Sequence, residues 1–317
     1  MTEESKTILE KYQVRKTGKQ KSAFIAFLTE ALKKKGYEAR VEKGSFGVKN
    51  IVVGSPRDAK VVFTAHYDTA PRLPVPNFIT PKCFLVYLLY QILLTGGIFV
   101  IAGLISFAIS LVINLCGAQE ASIAFLPLIF DLVILAELLL ILFGPANKNT
   151  ANDNTSGVIT LVEIMSNLPV EDREKVAFVF FDQEETGLIG SSVYSSKHKK
   201  ETQGKPFINF DCVSDGDNVL FAVRKGARGL VNELKNAFEG EKGFYVDVCT
   251  SGVFYPSDQM NFPVGIGVAT LKRSKRLKML YMNRIHTSRD TVFEEKNIEF
   301  LTQGSLKLVK QLTDKTA

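Results

Sequence analysis

From Cys83 to Phe143 the chain carries no Lys or Arg, and its only charges are Glu120, Asp131 and Glu137. No other feature limits the fold as much. Phe84–Leu115 is 32 residues without a formal charge, and Ala121–Phe143 adds 23 whose only charges are Asp131 and Glu137. Each is longer than the ~20 apolar residues that cross a hydrocarbon core. The link Cys116–Glu120 is short enough for a helical hairpin. The first stretch is longer than one span needs, and Gly96-Gly97 would divide it into an interfacial piece and a spanning helix from about Ile98. The alternative, a helical pair buried in a soluble core, is disfavoured because core helices seldom run this long without a polar face.

A hairpin returns the chain to the side it left. Arg72 and Lys82 precede the insert, Lys148 follows it, and the connecting turn has no positive charge. The positive-inside rule then places the soluble part in the cytoplasm, at a cell membrane crossed twice, with lipid contacted through residues 83–143. Asp131 falls near the middle of the second helix and Glu137 about 240° further round. Carboxylates there are costly and functional by default, but the hairpin offers no basic partner. The other reading is a protonated carboxyl bonded to a neighbouring helix or facing a seam between copies.

Outside the insert the chain is basic: the whole carries +6 over 317 residues, so the remaining 256 carry +9. With 46% hydrophobic residues it is neither disordered nor collagen-like. Its acidic, polar start is unlike a signal peptide. The four cysteines form no CxxC pair and two flank the insert, which fits a reducing compartment. The runs Lys197–Lys200 and Lys272–Arg276 lack any stacking or groove-reading motif, so no nucleic-acid partner is expected. Anionic lipid beside the hairpin, or a solvated face, accounts for them, and His198 reads as a surface residue.

Gly18–Gly36 reads as an amphipathic helix with Phe24, Ile25, Phe27, Leu28 and Leu32 on one side. Strand-like runs follow at Ala39–Glu42, Val48–Val53 and Val61–Ala65. Beyond the insert come a helix over Ser156–Leu168, strands at Val176–Phe181 and Phe207–Phe210, and a closing helix over Lys296–Leu312. Apolar strands alternating with helices predict an α/β fold, a mixed, mostly parallel sheet covered on both faces.

Chemistry-bearing residues follow these strands. Val61–Ala65 runs into His66-Tyr-Asp68, where residues two apart point the same way, so that Asp68 can fix the tautomer of a metal-binding His66. A core histidine bonded to an aspartate reads equally well. Asp153 opens a helix, where it can serve as an N-cap. Val176–Phe181 delivers Glu184-Glu185, adjacent carboxylates that repel unless a cation or proton joins them. Phe207–Phe210 ends in Asp211, and His286 precedes Thr-Ser-Arg-Asp290. Together His66, Asp153, Glu185, Asp211 and His286 are nitrogen and oxygen donors without thiolates, which suits a catalytic zinc pair better than a structural cysteine site.

These residues, in this order, resemble the zinc aminopeptidases of the M28 peptidase family. The resemblance runs through His66-x-Asp68, Asp153-Asn, Glu184-Glu185-x-Gly-Leu-x-Gly-Ser191, Asn209-Phe-Asp211, Ser257-Asp258 and His286-Thr-x-x-Asp290. It implies a zinc-peptidase α/β/α sandwich acting on peptides, split into residues 1–82 and 144–317 around the inserted hairpin 83–143. It implies two zinc ions bridged by Asp153, one completed by His66 and Asp211, the other by Glu185 and His286. Glu184 would be the general base and Asp68 the orienter of His66. Consecutive glutamates can divide this labour because successive side chains point apart.

The chain departs from the family pattern in three places. His66 and Asp153 lie 87 positions apart, of which the insert supplies 61. Gln259 stands where the family often has His after Ser-Asp, a position of the substrate pocket. Gly265-Ile-Gly267 replaces a usual Gly-Ile-Pro. A glutaminyl cyclase shares the scaffold with one zinc, yet its pocket is typically Trp-lined, with Trp before the last ligand His; here Ile285 holds that place and the chain has no Trp. A non-enzymatic scaffold or receptor usually loses ligands, and none is missing. Neither substrate preference nor oligomeric state follows from these motifs.

Overall fold

The computed structural model describes residues 1–239 and 243–314. The chain opens with α1 (Glu3–Lys11) and α2 (Gly18–Lys34), followed by β1 (Ala39–Lys43), β2 (Lys49–Val53) and β3 (Val61–His66). Helix α2 starts at a capping box, in which Thr17 Oγ1 accepts the Gln20 N–H at 3.3 Å and Gln20 Oε1 accepts the Thr17 N–H at 2.9 Å. Of its five expected apolar contacts, Phe24, Leu28 and Leu32 are buried, while Ile25 and Phe27 are half-buried.

The long apolar region forms α3 (Phe84–Leu115), α4 (Gln119–Ala124) and α5 (Leu126–Phe143). Helix α3 is continuous through Gly96-Gly97, so the expected division there does not occur. The break falls instead at Phe125, ahead of Pro127 in the first turn of α5. The most apolar 18-residue windows of both long helices have a mean hydropathy of 2.6, and 11% of that of α3 and none of that of α5 is buried. They pack on each other, with Phe99 and Phe130 stacked at 6.3 Å, and otherwise turn apolar side chains outward. A buried helical pair in a soluble core is therefore not what forms. Asp131 is exposed on α5, and Glu137 is half-buried.

The remaining elements are α6 (Gly157–Asn167), β4 (Val176–Phe181), α7 (Ile189–Lys197), α8 (Lys199–Thr202), β5 (Phe207–Phe210), β6 (Asn218–Val223), α9 (Val231–Phe238), β7 (Tyr245–Cys249), β8 (Gly265–Arg273), β9 (Leu280–Tyr281) and α10 (Glu295–Asp314). The sheet runs β1-β2-β4-β3-β5-β8-β6-β7, with β9 beside β8. Its centre, β4-β3-β5-β8, is parallel, and antiparallel pairs flank it. Every residue of β3, β4 and β5 is buried. Alternation divides them between two cores: Val61, Phe63, Phe178 and Phe180 pack with residues of α2, α6 and α10, while Val62, Val179, Phe181 and Phe207 pack with Tyr194 and Phe262.

The chain leaves β3 for β4 on one side and then returns to pair β5 on the other. That reversal opens a crevice at the carboxyl ends of β4, β3 and β5, the place where open α/β sheets bind ligands.

Candidate metal centre

Three strand ends and one helix start meet in this crevice. His66 is the last residue of β3, Asp211 follows β5, Glu184 and Glu185 lie in the loop after β4, and Asp153 precedes α6. Asp153 does not cap that helix. Asn154 takes the role, its Oδ1 accepting the Gly157 N–H at 3.0 Å and the Cys212 N–H at 3.2 Å. Its Nδ2 donates to the Phe210 carbonyl at 2.9 Å, so one side chain ties α6 to the end of β5. A Cβ at Gly157 would lie 2.3 Å from the Phe210 carbonyl oxygen, and only glycine permits this approach.

The loop after β4 is equally confined. A Cβ on Gly190 would stand 1.9 Å from the Asp182 carbonyl oxygen. Asn50 braces the turn from β2, accepting the Asp182 N–H at 3.0 Å and donating to the Gly190 carbonyl at 2.9 Å. This rigid turn aims Glu184 and Glu185 back over the strand ends.

His66 Nε2 lies 3.3 Å from Asp153 Oδ1 and 3.5 Å from Asp211 Oδ1. His286 Nε2 lies 3.1 Å from Asp153 Oδ2 and 3.2 Å from Glu185 Oε2. The two oxygens of Asp153 therefore face different imidazoles, each with one further carboxylate. On its other side, His66 Nδ1 is 3.5 Å from Asp68 Oδ1. That same oxygen accepts the Glu184 N–H at 3.0 Å, and Asp68 Oδ2 accepts the Glu185 N–H at 3.2 Å. Asp68 thus joins the histidine before the insert to the glutamates after it.

The donor set fits a metal. Both ring nitrogens of His66 and Oε1 of Glu185 are buried without a hydrogen-bond partner. Such atoms are costly unless something else binds them. His66, Asp153 and Glu185 converge within ligating distance, as do His66, Glu184 and Asp211. Crowding also shows in the titration of these groups. Burial would lower the pKa of His66, but the charge of Glu184 and the close carboxylates of Asp153, Asp211 and Asp68 carry it well above its ordinary value. His286 is raised in the same way, against burial, by Glu185 and Asp153. Burial raises Glu184 well above the carboxylate range; His66 opposes this, while Glu185, Asp211 and Asp258 add to it.

Several supporting residues carried no role in the sequence reading. Asp290 accepts the N–H groups of Asn152 and Asp153, both at 3.0 Å, and so fixes the backbone of the shared aspartate. Tyr255 donates its hydroxyl to the Asp211 carbonyl at 2.9 Å. Fully buried Arg15 donates to the Tyr67 and Tyr12 carbonyls and to Thr155 Oγ1 at 3.1 Å. Burial lowers its pKa to about 10, opposed by Asp68 and Asp153, so it stays charged behind the carboxylates. A lone arginine before a helix gives no sequence signal for this.

Two of the departures from the family pattern are in contact. Gln259 is buried; it donates to the Tyr255 carbonyl at 2.7 Å and accepts from Asn209 Nδ2 at 3.2 Å. A Cβ at Gly267 would lie 2.7 Å from Gln259 Cδ, so Gly267 makes the room Gln259 occupies. Gln259 does not line the cavity over the carboxylates, whose volume is about 80 Å3 and whose walls include Asn77, Ile79, Tyr255 and Ile285. Its reach to that cavity is through Tyr255. His198 is half-buried, its ring 2.7 Å from Glu42 Oε2 and 3.1 Å from Glu201 Oε2 and packed against Tyr194.

An α/β sheet that gathers two histidines and a ring of carboxylates at its carboxyl edge has the donor set of a metal centre. The sequence model of peptidase family M28 matches residues 137–306, more than half of the chain, and the protein belongs to that family. The match contains Asp153, Glu184, Glu185, Asp211 and His286, but begins beyond His66 and Asp68. No curated protein sequence matches the chain. Among solved structures it is similar to the LapA aminopeptidase of Legionella pneumophila, at 14% identity and a TM-score of 0.56 over 97% of this chain and 68% of that one. It is also similar to the glutaminyl cyclase of Porphyromonas gingivalis (15%, TM-score 0.56, 99% and 98% covered). A Zn-dependent exopeptidase of Parabacteroides distasonis is a third (14%, TM-score 0.55, 96% of each chain). These likenesses establish the shared fold.

Proposed function

We propose that this chain is a membrane-anchored zinc aminopeptidase that hydrolyses the N-terminal residue from peptides. The carrying observation is Asp153, whose two oxygens face His66 with Asp211 on one side and His286 with Glu185 on the other. This supports two zinc ions sharing Asp153. Zinc held there supplies Lewis acidity and lowers the pKa of water towards neutrality.

The chain's own residues supply the rest. Glu184 lines the cavity without being needed for either set of ligands, and takes the proton of the attacking water and returns it to the leaving amine. Its position is held through its N–H by Asp68. Among the described residues that wall the cavity there is no Lys or Arg, and four are carboxylates, Asp153, Glu184, Glu185 and Asp211. Three of these are the proposed zinc ligands, so amino- over carboxypeptidase polarity is supported by the likeness to the LapA aminopeptidase and not by the charge of the wall. The anchoring reading takes α3 and α5 as two spans, with residues 1–82 and 144–317 forming one catalytic unit on the cytoplasmic side.

The test offers zinc-loaded protein three substrates: a short peptide with a free amine, its N-acetylated form, and a peptide beginning with Gln. Release of the first residue from peptides with a free amine, and not from the acetylated form, is expected, with Glu184→Gln slower by at least ~100-fold and still zinc-loaded. Ammonia and a pyroglutamyl product from the third substrate would establish the cyclase instead. No product from any of them would favour a scaffold.

A further inference from the structure

Phe46 is 81% exposed, the highest value among the described large apolar side chains, the outward faces of α3 and α5 included. It stands at the tip of the loop between β1 and β2 with a left-handed φ of 58°, a conformation that bulky residues adopt only under constraint. The loop is held in that shape. Gly44 donates its N–H to the Val48 carbonyl at 3.0 Å, and Gln183 Nε2 donates to the Phe46 carbonyl at 2.9 Å. A large ring fixed outward at a strained position calls for a partner.

Its surroundings indicate which partner. Phe46 lines a groove of about 430 Å3 whose lining also includes Leu142 and Phe143, the last two residues of α5. Phe143 is itself 65% exposed. Glu185 and Asp68 border the same groove, so it reaches from the end of the hairpin to the candidate metal centre. Lys16 lies along it, its Nζ 3.5 Å from the Leu142 carbonyl oxygen, and Lys19 and Lys43 are exposed on the flanking elements. Aromatic and basic side chains together at the end of an apolar helix match the chemistry of an anionic lipid surface.

We propose that the 44–48 loop is a third membrane contact, in which Phe46 enters the lipid interface beside the end of α5. The groove between them then opens at the bilayer surface, and a peptide lying there passes its N-terminus directly towards Glu185. This rests on the reading of α3 and α5 as spans, and the test separates the two.

The chain contains no Trp, so a single substitution creates a site-specific fluorophore. Phe46→Trp, Phe107→Trp within α3, and Val170→Trp are each reconstituted into phosphatidylcholine–phosphatidylglycerol vesicles with and without acyl-brominated lipid. Val170 is 71% exposed and precedes β4, at the end of the sheet away from the site. Phe46→Trp is expected to emit at shorter wavelength and to be quenched about twofold or more, as is Phe107→Trp, while Val170→Trp is not. Quenching of Phe107→Trp without Phe46→Trp overturns the proposal and leaves the spans standing. A blue-shifted but unquenched Phe46→Trp also overturns it, since protein, such as a second copy of the chain, would then cover the loop. Absence of quenching at both positions removes the spans and the proposal with them. Exposed Ser45, as Ser45→Trp, gives the same reading if position 46 does not tolerate the exchange.

Discussion

Asp68→Asn isolates the link between the two halves of the site. Aspartate offers two oxygens, and the structure uses both: Oδ1 for the Glu184 N–H at 3.0 Å and Oδ2 for the Glu185 N–H at 3.2 Å, with His66 Nδ1 3.5 Å from the first. Asparagine offers one oxygen, so one of these amides must face an NH2 group. A buried donor left without a partner costs about 1–3 kcal/mol, or about 5- to 150-fold in the population of the competent geometry. The loop after β4 can relax part of this at its exposed Gly187, which places the expected fall in kcat/KM at about 10- to 100-fold. His66, Asp153 and Asp211 are unaltered, so zinc content should hold. Steady-state peptide hydrolysis and elemental analysis on the same preparations measure both quantities. Activity within twofold of the parent would refute the role given to Asp68. A loss of zinc proportional to the loss of activity would show that Asp68 acts by holding the ligands His66 and Glu185 and not by placing Glu184.

Gly190→Ala drives a Cβ to within 1.9 Å of backbone oxygen, so thermal stability should fall by about 1–3 kcal/mol, together with activity; an unchanged midpoint would contradict the packing argument. Arg15→Met removes the buried donor to the Tyr67 and Tyr12 carbonyls and the counter-charge behind Asp68 and Asp153, and should cost about 3–5 kcal/mol in a denaturation curve. Glu42 provides a pH-dependent case. Burial raises its pKa, but His198, Lys197 and Arg40 outweigh this and bring it down from 4.5 to about 2. A lowered carboxylate pKa stabilises the fold above pH 4.5 and loses that contribution as the pH falls towards 2. Glu42→Gln should therefore cost about 1–2 kcal/mol at neutral pH, allowing for solvent screening, and progressively less below pH 4.5; a pH-independent difference would count against it.

The central strands were legible because β3, β4 and β5 are buried on both faces and so read as unbroken apolar runs ending in charged residues. The hairpin was legible by length and the absence of Lys and Arg, though its break at Phe125 answers to Pro127 and not to the glycine pair. Strands β6, β7 and β8 escaped notice. Gly265-Ile-Gly267 interrupts the pattern of β8, and β7 keeps Tyr245 exposed, so neither shows a clean period. The histidines and carboxylates were visible as types at strand ends. What local spacing could not convey was the tying together of distant segments: Asp290 under Asp153, Asn154 across β5 and α6, and Arg15 behind the cluster. The contact of Gln259 with Gly267 has the same origin, since their neighbourhood is made by the crossing of β8 over the turn before it.

The proposed chemistry depends most directly on where metal sits relative to Asp153. Diffraction from zinc-loaded crystals, recorded on both sides of the zinc absorption edge, should show two anomalous peaks roughly 3.5–4 Å apart. One should lie against His66 Nε2 and Asp211, the other against His286 Nε2 and Glu185, with one oxygen of Asp153 on each. A single peak, or two that do not share Asp153, would contradict the shared-aspartate centre from which the proposed chemistry is built.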